Sequence, residues 1–169
     1  MKRFVFVLLL CLDVQVAFGA PSLCQKGEDN YFSCKAHNGK IISLCGQVST
    51  DDYPWLQYRY GRPGAIELAY PQSRKDSVQR FKAERIRAGG GAYGVDGVAF
   101  VSGSIGYSVD AVTPDTGEFW QGVSVGDPKG FDLERGARRP AHYPEARIVC
   151  GAEADTKRFS GLIELLDQR

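Results

Sequence analysis

Four cysteines, spaced ten, eleven and more than a hundred residues apart, constrain the fold of this chain more than any other feature. They are Cys24, Cys34, Cys45 and Cys150, and a fifth, Cys11, lies in an N-terminal segment that we expect to be removed. An even number of cysteines in an exported chain predicts two disulfides. Zinc sites need close pairs such as Cys-x-x-Cys, which this spacing lacks. The sequence therefore predicts a small disulfide-stabilised fold with no metal and no cofactor.

Residues 1–19 have the pattern of a signal peptide. Two basic residues precede an apolar run over 4–12, and the small residues Ala17 and Gly19 precede the predicted cleavage site. The run is too short to span a bilayer, which takes roughly 20 apolar residues. We therefore expect residues 20–169 to form a single β-rich domain that is periplasmic or secreted and has no stable membrane anchor.

The first predicted hairpin indicates which cysteines pair. If Asn38 and Gly39 are the two loop residues, Cys34 lies diagonal to Cys45 on one face of the hairpin. A type II′ turn shifted one residue further along the chain places the same two cysteines directly opposite each other. Both registers bring the thiols close, so the sequence predicts a Cys34–Cys45 bridge. By elimination it also predicts a Cys24–Cys150 bridge.

Short alternating segments separated by turn residues predict about eight strands. Besides the first hairpin, these segments cover residues 55–60, 65–70, 97–101, 105–112, 119–125 and 146–151. Residues 81–88 fit a strand or a short helix, residues 126–144 a long loop, and residues 160–167 a helix. This succession predicts a mainly β fold, a small antiparallel barrel or sandwich with a C-terminal helix.

Several motifs resemble a group of uncharacterised exported proteins of Gram-negative bacteria. The group shares an FSC…NGK…LC…LQYRFGxPG core, matched here by segments within residues 32–64, and a late Gly-Val-x-Val strand, matched at 122–125. Residues 102–107 are more faintly similar to the Ser-Gly-x-x-Tyr strand of periplasmic β-barrel lysozyme inhibitors, with one additional residue. The resemblance implies a periplasmic or secreted bacterial protein and carries no known activity.

The charge balance of the expected mature chain argues against two classes of partner. Of 21 basic and 20 acidic residues, Lys2, Arg3 and Asp13 lie in the leader, which leaves 19 of each. General affinity for nucleic acid or for anionic lipid normally needs a clear basic excess. We therefore expect no nucleic-acid partner.

Aromatic and arginine residues on one predicted strand form the first candidate binding surface. Alternation places Trp55 and Arg59 on one face, and Arg62 follows at the turn. Tryptophan and arginine are frequent among the residues that dominate protein interfaces. The alternative is an arginine stacked on an aromatic ring for stability alone.

Two predicted turns are candidates for a rigid loop that would enter the cleft of a partner. One covers residues 61–64. The other covers residues 102–107 and contributes Ser102, Ser104 and Tyr107 as candidate binding residues.

No catalytic set is predicted. His37 lies in a turn and His142 between two prolines, which are poor positions for the base of a nucleophilic triad. All four cysteines after the leader are expected to be bridged. Paired carboxylates are the one enzymatic alternative, with Asp96, Asp110, Asp115 and Glu118 as candidates.

These observations predict a non-catalytic exported binding protein. Its partner would be a protein of the cell envelope, and the protein would act as an inhibitor or immunity-type partner of an envelope or cell-wall enzyme. The alternatives are a carbohydrate-binding module, which needs an exposed Trp55 or Trp120, and a carboxylate-dependent hydrolase, which needs two carboxyl groups in one cleft.

Overall fold

Two antiparallel sheets face each other in this structure, a computed structural model that describes residues 20–49, 53–88, 93–113, 119–128 and 146–169. The first sheet contains β1 (Asp29–Lys35), β2 (Ile41–Gln47), β3 (Trp55–Arg62) and β4 (Ala65–Tyr70), paired in chain order. The second contains β5 (Lys82–Ala88), β6 (Tyr93–Ser102), β7 (Ile105–Thr113), β8 (Trp120–Gly126) and β9 (Ala146–Val149), also in chain order. A short 3-10 turn covers Val78–Arg80, and the helix α1 covers Phe159–Asp167.

The predicted mainly β fold with a C-terminal helix is confirmed. The described residues form nine strands, one more than expected, and the two sheets do not close into a barrel, so the sandwich is the correct alternative. The ambiguous segment at 81–88 is a strand. The predicted signal peptide and most of the predicted loop at 126–144 lie outside the described residues.

The core lies between the sheets and continues under α1. Phe32, Leu44 and Val109 come from both sheets and are fully buried. Helix α1 contributes Leu162, also fully buried, and Phe159, whose ring centroid lies 5.3 Å from that of Phe32. Burial of such side chains is the main force that stabilises the fold.

A segment that follows β9 crosses from the second sheet to the first. Ala36 forms a bridge with Cys150, and Ser33 exchanges two backbone hydrogen bonds with Asp155 at 3.0 and 2.8 Å. The outer edge of β1 is therefore paired, which prevents it from acting as an open sheet edge. We call this crossing the seam of the sandwich.

All four cysteines form disulfides, as predicted, but the predicted pairing is wrong. Cys24 is bonded to Cys45, and Cys34 is bonded to Cys150. The first bridge attaches residues 20–28, which precede β1 and are called the N-terminal segment below, to β2. The second crosses the seam and links the two sheets.

The register of the first hairpin explains this error. Cys34 lies opposite Ile42, and Ala36 donates its N–H to the carbonyl of Lys40, so three residues form the loop where two were expected. The observed register differs from each of the two predicted registers by an odd number of residues. A register shift by an odd number moves a side chain to the other face of the sheet. Cys34 therefore faces the core, whereas Cys45 faces the N-terminal segment.

Candidate binding surface

Trp55 and Arg59, two of the predicted binding residues, are buried rather than exposed, with 6% of each residue accessible. The predicted faces of β3 are correct, because Leu56 and Tyr58 lie in the core. The opposite face is covered, however. The guanidinium of Arg74 lies 3.9 Å from the centre of a Trp55 ring, and the N-terminal segment lies over Arg59. Neither residue offers an exposed contact to a partner.

The carboxylate of Glu28 fixes the N-terminal segment on this face. Its two oxygens accept hydrogen bonds from Arg59 Nη1 at 2.6 Å and Nη2 at 3.0 Å. They also accept from Arg74 Nη2 at 2.6 Å and from the N–H of Gln25 at 2.7 Å. Burial raises the pKa of Glu28, but the hydrogen bonds from Arg59 and Gln25 and the charges of Arg59 and Arg74 outweigh it. The net effect is a lowered pKa.

The same segment is held at a second point by the Cys24–Cys45 bridge. Beside that bridge, the N–H of the buried Leu23 donates to Ser43 Oγ at 2.9 Å. Cys24, Glu28 and Cys45 lie close together, but the two sulfurs are bonded to each other and do not form a metal site. This cluster therefore stabilises the fold.

The turn between β3 and β4 is exposed and contains the third residue predicted on this strand, Arg62. Arg62, Pro63 and Gly64 are exposed, and Ile66 is 44% exposed. We call these four residues the hairpin tip. Arg62 Nη1 donates to the carbonyl of Gly39 at 3.3 Å, and no carboxylate among the described residues pairs with it. The hairpin tip thus combines an exposed apolar residue with an unpaired cation.

Contacts between the two hairpins of the first sheet make the hairpin tip rigid. Lys40 Nζ forms an ion pair with Glu67 at 2.6 Å and lies 5.2 Å from the ring centre of Tyr60. The Tyr60 hydroxyl accepts a hydrogen bond from Asn38 Nδ2 at 2.8 Å. Gly61 has a φ of 147°, and a Cβ added there would lie 2.5 Å from the carbonyl oxygen of Ala65. Only glycine fits this position without strain.

A β-bulge explains why Ile66 is exposed. Leu68 lies opposite Tyr60, but Ile66 lies opposite Gly61, so Glu67 is an additional residue in β4. Such a bulge reverses the side chains beyond it. Leu68 packs on the core, whereas Ile66 lines a cleft of about 620 Å³ on the outer face of the first sheet, together with the N-terminal segment and Arg74.

The second predicted loop has a smaller exposed surface. Ser104 and Ile105 are exposed, whereas Ser102 is half-buried. The ring of Tyr107 stacks on that of Phe100 with centroids 5.0 Å apart and planes 9° apart, which places Tyr107 at the edge of the core. Of the three predicted residues in this loop, only Ser104 is exposed.

The carboxylates expected for a hydrolase occupy different settings. Asp110 is fully buried and accepts hydrogen bonds from Ser108 Oγ and Ser124 Oγ, both at 2.6 Å. Glu84, which was not predicted, lies 3.1 Å from the same Ser108 hydroxyl and is 9% exposed. Asp96 instead pairs with two arginines, Arg87 at 2.7 Å and Arg85 at 3.7 Å. The remaining candidates, Asp115 and Glu118, lie outside the described residues.

The two tryptophans differ in exposure. Trp55 is buried, so it does not offer a platform for a sugar. Trp120 is half-buried, with the guanidinium of Arg147 lying 4.8 Å from its ring centre, and the adjacent Phe119 is 54% exposed. Trp120, one of the two tryptophans on which the carbohydrate alternative depends, is therefore partly accessible.

No protein family, curated protein sequence or solved structure matches this chain. Among the described residues, none of the helical segments has the length and apolar character needed to cross a membrane. The two disulfides are consistent with an extracytoplasmic protein.

Sequence reasoning found Arg62 but missed Ile66, Glu28 and Arg74. Apolar alternation gives no sign of the bulge that exposes Ile66. Glu28 contacts Arg59, 31 residues away in the chain, and Arg74 contacts Trp55, 19 residues away, so only the fold brings them together.

Proposed function

We propose that this protein is an exported, non-catalytic binding protein that recognises a protein partner through its hairpin tip. The partner is an enzyme of the cell envelope or cell wall, and the protein acts as its inhibitor or immunity-type partner. One observation carries the proposal. Arg62 is exposed at a rigid turn and has no carboxylate partner among the described residues, and Ile66 lies exposed beside it.

Rigidity favours this role because ordering a flexible loop on binding costs free energy. The pairing of β3 with β4, the close approach of Gly61 to Ala65 and the Asn38–Tyr60 hydrogen bond hold the hairpin tip before a partner arrives. Glu67, which is adjacent to Ile66 in β4, already pairs with Lys40. Arg62 therefore remains available to a carboxylate of the partner.

The envelope location is supported by the sequence and by the chemistry of the cysteines. Disulfides persist in oxidising compartments such as the bacterial periplasm. Residues 1–19 have the signal-peptide pattern, and the resemblance to exported proteins of Gram-negative bacteria agrees with it. An enzyme of the cell wall or envelope is the kind of partner that an exported inhibitor meets there.

A pull-down comparison tests the proposal. The full chain with its leader and a C-terminal tag is expressed in a Gram-negative host and recovered from the envelope extract. We expect a stoichiometric enzyme partner with the unchanged protein and at least a tenfold lower yield of it with Arg62→Ala or Ile66→Ser. The partner's activity should fall when the purified unchanged protein is added.

Two exposed positions elsewhere supply matched controls for this experiment. Glu164→Ala changes a charged residue on α1, and Ile105→Ser changes an apolar residue in the other predicted loop. Both controls should retain the partner. Loss of the partner with Ile105→Ser alone would move recognition to the second loop, and retention by both hairpin-tip variants would contradict the proposal.

A further inference from the structure

A second cleft, of about 460 Å³, lies at the seam and shares no lining residue with the hairpin tip. It is lined by His37, Phe119, Trp120, Gln121, Val149 and Glu153. The N–H of His37 donates to the carbonyl of Val149 at 3.1 Å, and the N–H of Cys150 donates to the carbonyl of Gln121 at 2.9 Å. These bonds join the walls of the cleft, which has the volume typical of a small-molecule site.

The side-chain amide of Gln121, which lines this cleft, indicates that a ligand binds there. Gln121 is 7% exposed, and its Oε1 accepts a hydrogen bond from the N–H of Ala154 at 2.8 Å. Its Nε2, by contrast, donates to no acceptor in the part of the chain that the structure describes. A buried donor without a partner costs free energy, and such groups are uncommon in folded proteins. The cleft therefore contains a donor suited to an acceptor oxygen of a ligand.

Aromatic and acidic side chains complete the lining. Phe119 is 54% exposed and Trp120 is half-buried, so both leave apolar ring surface next to the cleft. The carboxylate of Glu153 is exposed at its edge and can accept a hydrogen bond from a ligand hydroxyl or amide. An aromatic surface together with one donor and one acceptor matches a sugar ring, which has apolar C–H groups on its faces and polar groups around its rim.

We infer that the seam cleft binds a pyranose sugar unit of a glycan. The sugar face packs on the exposed ring of Phe119, an oxygen of the sugar accepts from Gln121 Nε2, and Glu153 accepts from a sugar hydroxyl or amide. This site is separate from the hairpin tip and does not depend on the proposed protein partner. Together, the two sites would allow the protein to contact a glycan and a protein at once.

Calorimetric titration of the full mature protein with two disaccharides tests this inference. N,N′-diacetylchitobiose carries acetamido carbonyls, whereas cellobiose has hydroxyls only. Saturable binding of either disaccharide supports a sugar site. The disaccharide that binds more tightly shows whether Gln121 donates preferentially to an acetamido carbonyl or to a hydroxyl. We expect Phe119→Ala, a change at an exposed position, to weaken binding about tenfold or more.

Two further variants make the result specific to the cleft. Gln121→Glu keeps the acceptor for the N–H of Ala154 but removes the amide donor, so it should also weaken binding. Ile105→Ala changes an exposed apolar residue that does not line the cleft and should leave binding unchanged. Absence of saturable binding for both sugars, or equal binding by the Phe119→Ala and unchanged proteins, would overturn the inference. The Phe119 test applies even if Gln121→Glu does not fold.

Discussion

Replacing Glu28 with glutamine is expected to lower the free energy of unfolding by about 3 kcal/mol. Glu28 and Arg59 are 6% and 7% exposed in their side chains, and two hydrogen bonds join them. Breaking one partner of a buried pair typically costs about 3–5 kcal/mol because a buried charge is left uncompensated. We take the lower end because glutamine keeps one acceptor oxygen. The half-exposed Arg74 adds little, since solvent screens its charge.

Glu67→Gln is the matched control. It removes the same charge from an ion pair with Lys40 whose side chains are 46% and 29% exposed. Solvent screens an exposed pair of this kind, so this change should have only a small effect on the free energy of unfolding. Urea unfolding of both variants at neutral pH, followed by circular dichroism, measures the difference. Equal losses in the two variants would refute the argument that the Glu28 pair is buried and stabilising.

The direction of the Glu28 pKa shift determines how the stability difference between the unchanged protein and Glu28→Gln varies with pH. The pKa of Glu28 in the folded protein is below its ordinary value of 4.5. A carboxyl with a lowered folded pKa contributes stability that is fully present above the unfolded pKa and is lost as the pH falls through the folded one. The stability gap between the unchanged protein and Glu28→Gln should therefore be constant above about pH 5 and shrink in acid. A gap that widens below pH 4 would contradict this assignment.

The remaining predictions concern the fold. Peptide mapping without reduction should recover the Cys24–Cys45 and Cys34–Cys150 pairs. Removing the longer bridge should cost about 5 kcal/mol and the shorter about 3 kcal/mol, because their loops span 116 and 21 residues. Gly122→Ala should cost about 2 kcal/mol or more in thermal unfolding, since an added Cβ would lie 2.1 Å from a backbone oxygen, whereas Gly103→Ala, in open space, should cost about 1 kcal/mol. Leu162→Ala should cost about 2–5 kcal/mol, and a loss below 1 kcal/mol would contradict the packing of α1.

Local patterns were sufficient to predict most of the strands, the second hairpin and the helix. Alternation assigned Leu56 and Tyr58 to the core, and Pro63 with Gly64 marked the turn after β3. These features depend on neighbours in the chain, so a single sequence contains them.

The errors came from details that alternation does not contain. One additional loop residue in the first hairpin placed Cys34 and Cys45 on opposite faces, and one additional residue in β4 exposed Ile66. The burial of Trp55 and Arg59 depends on segments that pack across their face from elsewhere in the chain. For the same reason, only the folded structure shows that Gln121 Nε2 has no acceptor among the described residues.

Site-specific photo-crosslinking at the hairpin tip tests the proposed function most directly. A photoreactive amino acid replaces Pro63 in the full chain, and the same amino acid replaces Glu164 on α1 as the control. After illumination of intact cells, we expect one covalent complex with an envelope enzyme from position 63 and none from position 164. No complex from position 63, or the same complexes from both positions, would contradict recognition by the hairpin tip.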